Sequence, residues 1–195
     1  MILPVAAFTV NQHLTLKGHL SALRGSPTLQ FICLGGLMYT ASSVQGSFEA
    51  LRSMNAVTHF THYTVAHAHL GLYGFVSMVF FGAIYFVVPR ITGREWPWPK
   101  LVTAHFWLAA TGIAIYFVSL TIGGWLQGTA MLDPSRGFME SVQATLPYLR
   151  GRSVGGALMV LGHVIFAVHF IGLLAGASGR AVQPSPALNA ATGDI

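Results

Sequence analysis

Two histidines, His67 and His69, lie two residues apart in a run of 37 residues, 53–89, that contains no Asp, Glu, Lys or Arg. An ionisable side chain in such an apolar run is costly, and it normally faces a protein interior, a cavity or a cofactor. Successive residues of an α-helix are about 100° apart, so these two imidazoles point in nearly opposite directions, roughly 200° apart. They therefore cannot bind the same metal ion.

Two interpretations of this pair are open. A neutral imidazole is an axial ligand of haem iron and haem fills an apolar slot between helices, so a helix carrying both histidines suits a position between two haems. Alternatively, each histidine donates a hydrogen bond to a carbonyl group of a neighbouring helix. Zinc-peptidase chemistry is excluded because the sequence has no His-Glu-x-x-His, and the single Cys33 excludes a disulfide framework or a thiolate cluster.

The charges of the chain are few and unevenly placed. Only 15 of the 195 residues, 8%, are Asp, Glu, Lys or Arg, whereas soluble domains average about 25%. Four charge-free runs of 24, 37, 32 and 27 residues each exceed the roughly 20 helical residues that span a bilayer. Their apolar residues are continuous rather than alternating, which indicates helices and not barrel strands. The predicted transmembrane helices are 29–47, 63–88, 101–126 and 153–175.

Prolines mark the predicted boundaries of these helices. Pro89 is expected to close the second helix, and Pro147 to end a loop, 133–152, before the fourth. Residues 1–16 also lack charge and look like the last turns of a helix whose beginning is absent. The expected fold is all-α, a polytopic transmembrane helix bundle of four full spans plus a truncated N-terminal helix, followed by a polar tail at 179–195.

The histidine pair stands in a longer stretch that resembles a known family. Residues 58–75, Thr-His-Phe-Thr-His-Tyr-Thr-Val-Ala-His-Ala-His-Leu-Gly-Leu-Tyr-Gly-Phe, followed by Pro89-Arg90, resemble the tenth helix of haem-copper oxidase subunit I. The flanks are most similar to the cbb3-type cytochrome c oxidase branch, and the resemblance covers about residues 1–178. Segments that resemble its eighth, ninth and eleventh helices and the loop before the twelfth follow in order at 11–18, 26–50, 105–128 and 138–148.

This resemblance implies that His67 binds the high-spin haem of the oxygen-reducing site and that His69 binds the low-spin haem that feeds it electrons. Arg150 and Arg152 are candidates to neutralise haem propionates, with anchoring to lipid headgroups as the alternative. The family's copper ligands, its active-site tyrosine and the second axial histidine of the low-spin haem lie on earlier helices, to which no segment here corresponds. The chain is then expected to be a truncated sequence or the C-terminal piece of a split subunit, inactive on its own.

The other histidines are weaker candidates for ligands. His105 stands beside Phe106 and Trp107 at the start of the predicted third helix, so an aromatic belt at the membrane boundary explains it. His163 and His169 are six residues apart and differ by about 120° around a helix, so they cannot share a ligand.

The predicted function is the haem-binding part of the catalytic subunit of a respiratory terminal oxidase. Such a subunit passes electrons from a cytochrome c-type donor to oxygen at a haem-copper centre, coupled to proton movement. A nitric oxide reductase large subunit fragment and a non-enzymatic haem-binding membrane protein remain as alternatives.

The expected cofactors are two haems, one high-spin and one low-spin, with copper in the complete subunit. The expected partners are the missing helices, other oxidase subunits and the lipid bilayer. Nucleic acid is excluded because the ten basic residues form no patch.

The basic residues also predict an orientation. Six lie on one side of the predicted helices: Lys17, Arg24, Arg90, Arg94, Lys100 and Arg180. Four lie on the other: Arg52, Arg136, Arg150 and Arg152. Because cytoplasmic loops carry an excess of Lys and Arg, the first group and the C-terminus are expected in the cytoplasm. The resemblance implies the bacterial inner membrane, with the haems nearer the outer face.

This orientation predicts which cysteine an impermeant reagent labels in intact cells. Single cysteines at Ser135 and Ser178, each in a Cys33→Ser background, are treated with a membrane-impermeant thiol reagent. Position 135 is expected to react and position 178 to be protected. Labelling at 178 but not at 135 would show that the topology is the reverse of the predicted one.

Overall fold

A computed structural model describes residues 2–177, and every regular element assigned in that part of the chain is helical. Eight α-helices and one π-helix follow one another there. They are α1 (Ile2–Leu16), α2 (Ser21–Gly25), α3 (Pro27–Glu49), α4 (Arg52–Thr58), α5 (His62–His69), the π-helix (Leu70–Ser77), α6 (Met78–Thr92), α7 (Pro99–Leu132) and α8 (Phe138–Leu174). The predicted polar tail, 179–195, lies outside the described residues.

Three helices of the described part are long and apolar enough to cross a membrane: His62–Thr92, Pro99–Leu132 and Phe138–Leu174. The first predicted span coincides with α3, which has 23 residues but is not among the three. Polar side chains lower the hydropathy of α3, namely Gln30, Thr40, Ser42, Ser43, Gln45 and Ser47. The structure therefore confirms an all-helical chain with apolar spans, and it does not confirm four full spans.

The helix that carries both histidines is longer than predicted, because Pro89 lies inside it. Helices α5, the π-helix and α6 run without a break and end at Gly93, whose φ of 68° is left-handed. A proline inside a helix leaves the carbonyl four residues earlier without a partner. Here that carbonyl belongs to Tyr85, and the indole N–H of Trp96 donates to it at 2.9 Å. The prediction that Pro89 closes the helix was wrong because Trp96 replaces the lost hydrogen bond.

The prediction of a loop at 133–152 was also wrong. Helix α8 begins at Phe138 and continues through Pro147, so only residues 133–137 connect it to α7. Asp133 organises this short turn, because it accepts hydrogen bonds from the backbone N–H and the hydroxyl of Ser135 at 3.0 and 2.6 Å. These two bonds hold the pKa of Asp133 below its usual value. Arg150 and Arg152 consequently lie within a helix rather than in a loop.

Glycines allow the long helices to approach closely. Helices α7 and α8 form an antiparallel pair, and a Cβ on Gly155 would lie 2.6 Å from the Gly112 carbonyl oxygen and 2.8 Å from the Tyr116 nitrogen. On another side of α7, a Cβ on Gly124 would overlap the backbone of His62 and Tyr63. Small residues at helix contacts are typical of membrane bundles, where packing drives association.

His105 lies in the interior of this bundle and not in a boundary belt. It is 0% exposed, and its Nδ1 is 3.0 Å from the Tyr85 hydroxyl. The surrounding core contains Phe31, Met78 and Phe106. The belt interpretation was wrong because α7 begins at Pro99, so His105 is almost two turns inside the helix.

The glycine contact predicts that alanine has different effects on stability at two adjacent positions. Gly155→Ala is expected to lower the thermal unfolding midpoint of the purified chain in detergent, because overpacking costs about 1–3 kcal/mol. Gly156→Ala is the matched control, since nothing lies within 4 Å of its added Cβ. Circular dichroism measures both midpoints. Equal midpoints for the two variants would contradict the close α7–α8 contact.

Candidate functional site

His67 faces α3 and forms part of the wall of a cavity. A Cβ on Gly46 of α3 would lie 2.7 Å from His67 Cε1 and 3.1 Å from Nε2, so only glycine leaves room for the ring. The cavity has a volume of about 610 Å³, within the usual range for bound small molecules and cofactors. Its lining includes Tyr39, Ser42, Ser43, Gly46, Ser47, His67, Gly71 and Phe75. The His67 Nδ1 is buried and has no hydrogen-bond partner in the described part of the chain.

His69 faces α7 instead. Its Nδ1 donates to the Val65 carbonyl oxygen at 2.9 Å, which leaves Nε2 as the unprotonated nitrogen of a neutral ring. The Tyr116 hydroxyl lies 3.3 Å from that Nε2, and the centres of the two rings are 4.7 Å apart. A backbone carbonyl bound to one imidazole nitrogen fixes the tautomer that offers the other nitrogen to a metal.

The two histidines therefore point to different neighbours, as the spacing predicts. His67 contacts α3 and His69 contacts α7. Within residues 2–177, no three His, Cys, Asp or Glu side chains are grouped to hold one metal ion. The described residues thus offer neither histidine a site built from three such side chains.

Sequence reasoning missed the polar face of α3 that lies beside His67. Ser42, Gln45, Gly46 and Glu49 recur every three or four residues, which places them on one side of the helix. Ser42 and Gln45 are buried, and neither polar atom of the Gln45 amide has a hydrogen-bond partner among the described residues. This period is visible in the sequence, but the sequence analysis did not use it.

Glu49 is the acidic member of that face. Burial raises the pKa of its carboxyl group, and the charge of His67 acts in the opposite direction. Its Oε1 and the His67 Nδ1 are both buried without a hydrogen-bond partner in the described chain. A carboxylate beside the non-ligating nitrogen is a common second partner of a metal-binding histidine.

Arg150 and Arg152 are the remaining predicted site residues. Both are exposed on α8. On α7, Gly123 packs against Tyr148 of α8 and the adjacent Gly124 packs against Tyr63, so this part of α8 lies near the end of the bundle where the His62–Thr92 helix begins. His67 and His69 lie within two turns of that same end.

The residues present fit an axial haem ligand at each of these two positions. At His67, the ring lines a cavity and packs against Gly46, and its Nδ1 is free to donate to a second partner while Nε2 serves as the ligand. At His69, the carbonyl contact orients the ring, although the Tyr116 hydroxyl now occupies the direction of Nε2. The fold and this pair define a helical membrane protein with histidines on opposite faces of one spanning helix.

Comparison with known proteins identifies the family. The family model described as "Cytochrome C and Quinol oxidase polypeptide I" matches residues 1–158. The chain therefore belongs to the haem-copper oxidase subunit I family, which confirms the resemblance seen in the sequence. Family membership implies haem and copper as the cofactors of the family in general.

Individual relatives support the cbb3-like assignment. The chain is 35% identical over 165 residues to the cbb3-type cytochrome c oxidase subunit CcoN1 of Stutzerimonas stutzeri, covering 81% of this chain and 35% of that protein. It is 33% identical to cytochrome c oxidase subunit 1 of Rhodobacter capsulatus, covering 81% of this chain and 31% of that protein. The chain thus spans about a third of the length of these relatives.

Two further similarities are more distant. A nitric oxide reductase subunit of Stutzerimonas stutzeri is 26% identical over 140 residues, covering 68% of this chain and 30% of that protein. A haem-copper terminal oxidase dimer solved by cryo-electron microscopy matches with a TM-score of 0.62 at 24% identity, covering 82% of this chain and 28% of that one. At that identity the structural match shows a shared fold.

Proposed function

We propose that this chain supplies two haem ligands to the catalytic subunit of a cytochrome c oxidase, in which electrons pass from a cytochrome c-type donor to oxygen. The observation that carries the proposal is the opposite orientation of His67 and His69 on one apolar helix. When bound, haem iron supplies one-electron transfer and, at the high-spin centre together with copper, the site of oxygen chemistry. The copper ligands belong to helices outside these 195 residues.

His67 is assigned to the high-spin haem. The cavity of about 610 Å³ beside it offers space between α3 and the π-helix. Gly46 leaves room for the ring, which packs against α3 at that position. We infer that Glu49 would accept a hydrogen bond from the His67 Nδ1 if Nε2 held iron, because both atoms are buried without a partner in the described chain.

His69 is assigned to the low-spin haem. The Val65 carbonyl fixes its protonated nitrogen, so Nε2 is available as a ligand. Binding of iron there requires the Tyr116 hydroxyl to turn away from Nε2, from which it is now 3.3 Å.

Other groups around the two haems would come from the end of the bundle that holds the histidine pair. Arg152 and Arg150, both exposed on α8, are the candidates to neutralise a haem propionate. The chain is assigned to the bacterial inner membrane with its C-terminus in the cytoplasm, so the haems lie nearer the outer face. Its partners are the remaining helices of subunit I, the other oxidase subunits and the electron donor.

A nitric oxide reductase large subunit is the second candidate. The 26% identity to the nitric oxide reductase of Stutzerimonas stutzeri favours it, and the 35% identity to the cbb3-type subunit favours the oxidase. Oxygen and nitric oxide electrodes distinguish the two functions, because they measure which gas the complete complex consumes.

Replacing each histidine is expected to remove a different haem. In the complete complex, His67→Ala should abolish the carbon monoxide-reactive high-spin signal, and His69→Ala should abolish the low-spin signal, because each ring faces a different neighbour. Reduced-minus-oxidised and carbon monoxide difference spectra measure both. Gly46→Val, which crowds the His67 ring, should weaken only the high-spin signal.

The control is His19→Ala, since His19 is exposed on the connection between α1 and α2. It should leave both haem signals intact. Identical spectra for the His67 and His69 variants, with both haems retained, would refute the assignment.

A polypeptide of these 195 residues is expected to insert into membranes without consuming oxygen. Reduced cytochrome c and quinol serve as donors, and an oxygen electrode records turnover in preparations from a host lacking its own oxidases. The reason is that oxygen chemistry needs iron and copper facing each other, and the chain carries no counterpart of the family's copper ligands. Turnover above a haem-only blank would show that those ligands are not needed.

A further inference from the structure

A groove lies between the first turns of α3 and the last turns of α6. Its volume is about 820 Å³, within the usual range for bound organic molecules. Leu29 and Ile32 form its wall on α3, and Ala83 and Phe86 form its wall on α6. Ala83 is fourteen residues after His69 on the same unbroken helix, a rise of roughly 20 Å. The groove is therefore separate from the candidate haem site, and its apolar walls suit a hydrocarbon chain.

This groove is polar at one end only. Ser26 and Thr28, at the start of α3, and Arg90, near the end of α6, line that end. Ile32 and Gly82 meet at the opposite end. Gly82 and Arg90 are eight residues apart, so the wall on α6 is about 12 Å long. A charged mouth and an apolar interior fit a phospholipid, whose headgroup is polar and whose acyl chains are not.

Arg90 is held at the mouth by Phe86, which lies one turn earlier on the same helix. The Arg90 Nη1 donates to the Phe86 carbonyl oxygen at 2.6 Å, and the guanidinium carbon lies 3.5 Å from the centre of the Phe86 ring. The ion pair found in the described chain joins Asp133 and Arg136, so Arg90 has no acidic partner there. Its other N–H groups are left to bind an anion, and a planar guanidinium pairs well with phosphate.

The charge of this end of the bundle also favours an anionic ligand. Among residues 2–177 it carries one acidic residue, Glu95, and five basic ones: Lys17, Arg24, Arg90, Arg94 and Lys100. Trp96 and Trp98 lie in the same connection as Glu95, and tryptophan is enriched where a membrane meets water. The mouth of the groove is thus at the depth of the lipid headgroups, where an excess of basic residues attracts anionic lipids.

An anionic lipid explains this groove better than another helix does. An apolar helix packed over the groove would bury the Arg90 charge without a counter-charge, which is costly. A phospholipid with a net negative headgroup supplies that counter-charge and covers the apolar walls with an acyl chain. A zwitterionic phospholipid also covers the walls, but its own cation competes with Arg90 for the phosphate.

We propose that the groove between α3 and α6 binds one anionic phospholipid. The Arg90 guanidinium and the Ser26 hydroxyl hold its phosphate, and one acyl chain lies between Ile32 and Ala83. The Ser26 oxygen accepts from the Leu29 backbone N–H at 3.2 Å, which leaves the hydroxyl proton to donate. The proposal goes beyond the proposed function, because no haem takes part in it.

The test measures lipid binding to the complete complex by native mass spectrometry. Phosphatidylglycerol and phosphatidylcholine with identical acyl chains are titrated into the complex in detergent, and the apparent dissociation constant of each lipid is recorded. Arg90→Gln removes the charge at the mouth, and Ala83→Phe fills the apolar wall. Lys100→Gln is the matched control, because Lys100 is an exposed cation at the same end that does not line the groove.

The wild-type complex is expected to bind phosphatidylglycerol roughly fivefold or more tightly than phosphatidylcholine, the effect of about one basic residue at an anionic headgroup. Arg90→Gln should abolish this preference, and Arg90→Lys should retain most of it because the charge stays. Ala83→Phe should weaken the binding of both lipids, since it blocks the acyl chain. Lys100→Gln should change neither constant, since an exposed charge away from the groove is screened by salt.

Equal affinity of the wild-type complex for the two lipids overturns the proposal, and this comparison needs no variant to fold. Equal effects of Arg90→Gln and Lys100→Gln overturn it as well. The same titration of the 195-residue chain alone tests for another occupant. A preference for phosphatidylglycerol in the isolated chain but not in the complex would show that another helix fills the groove, which also overturns the proposal. Lipid binding is measured without haem absorbance, so none of these outcomes depends on the assignment of His67 and His69.

Discussion

The close packing of the His62–Thr92 helix between α3 and α7 is the constraint on which the candidate site depends. Gly124 lets the backbone of α7 meet the start of this helix, and Gly46 leaves space for the His67 ring against α3. With both neighbours fixed, a two-residue separation directs His67 and His69 to opposite sides. A larger residue at Gly46 would crowd the His67 ring, and one at Gly124 would push the start of the helix away from α7.

Burial of polar groups divides the bundle into two regions. On one side, Ser42, Gln45 and Glu49 share the face of α3 on which Gly46 meets His67. On the other, His105 and His169 are enclosed by aromatic rings among α6, α7 and α8. Unpartnered polar atoms in an apolar interior cost free energy, so both regions are more readily explained by function than by stability.

The errors of the sequence-based predictions have a common physical origin. Charge-free runs locate apolar helices well, but prolines were given too much weight as boundaries. Pro89 is tolerated because Trp96, distant by several residues, satisfies the carbonyl that it frees. His105 was assigned to a boundary because the start of its helix was placed only four residues before it, whereas α7 begins at Pro99 and encloses the ring.

The sequence alone determined the helical class, three of the apolar spans, the family and the divergence of the histidine pair, because these depend on composition, motif order and helix geometry. Only the tertiary structure decided that His67 packs against Gly46 and that Tyr73 meets His163, 90 positions away. Such contacts join residues on separate helices, and their register is set by glycine packing and by the π-helix after His69. No local pattern in the chain encodes that register.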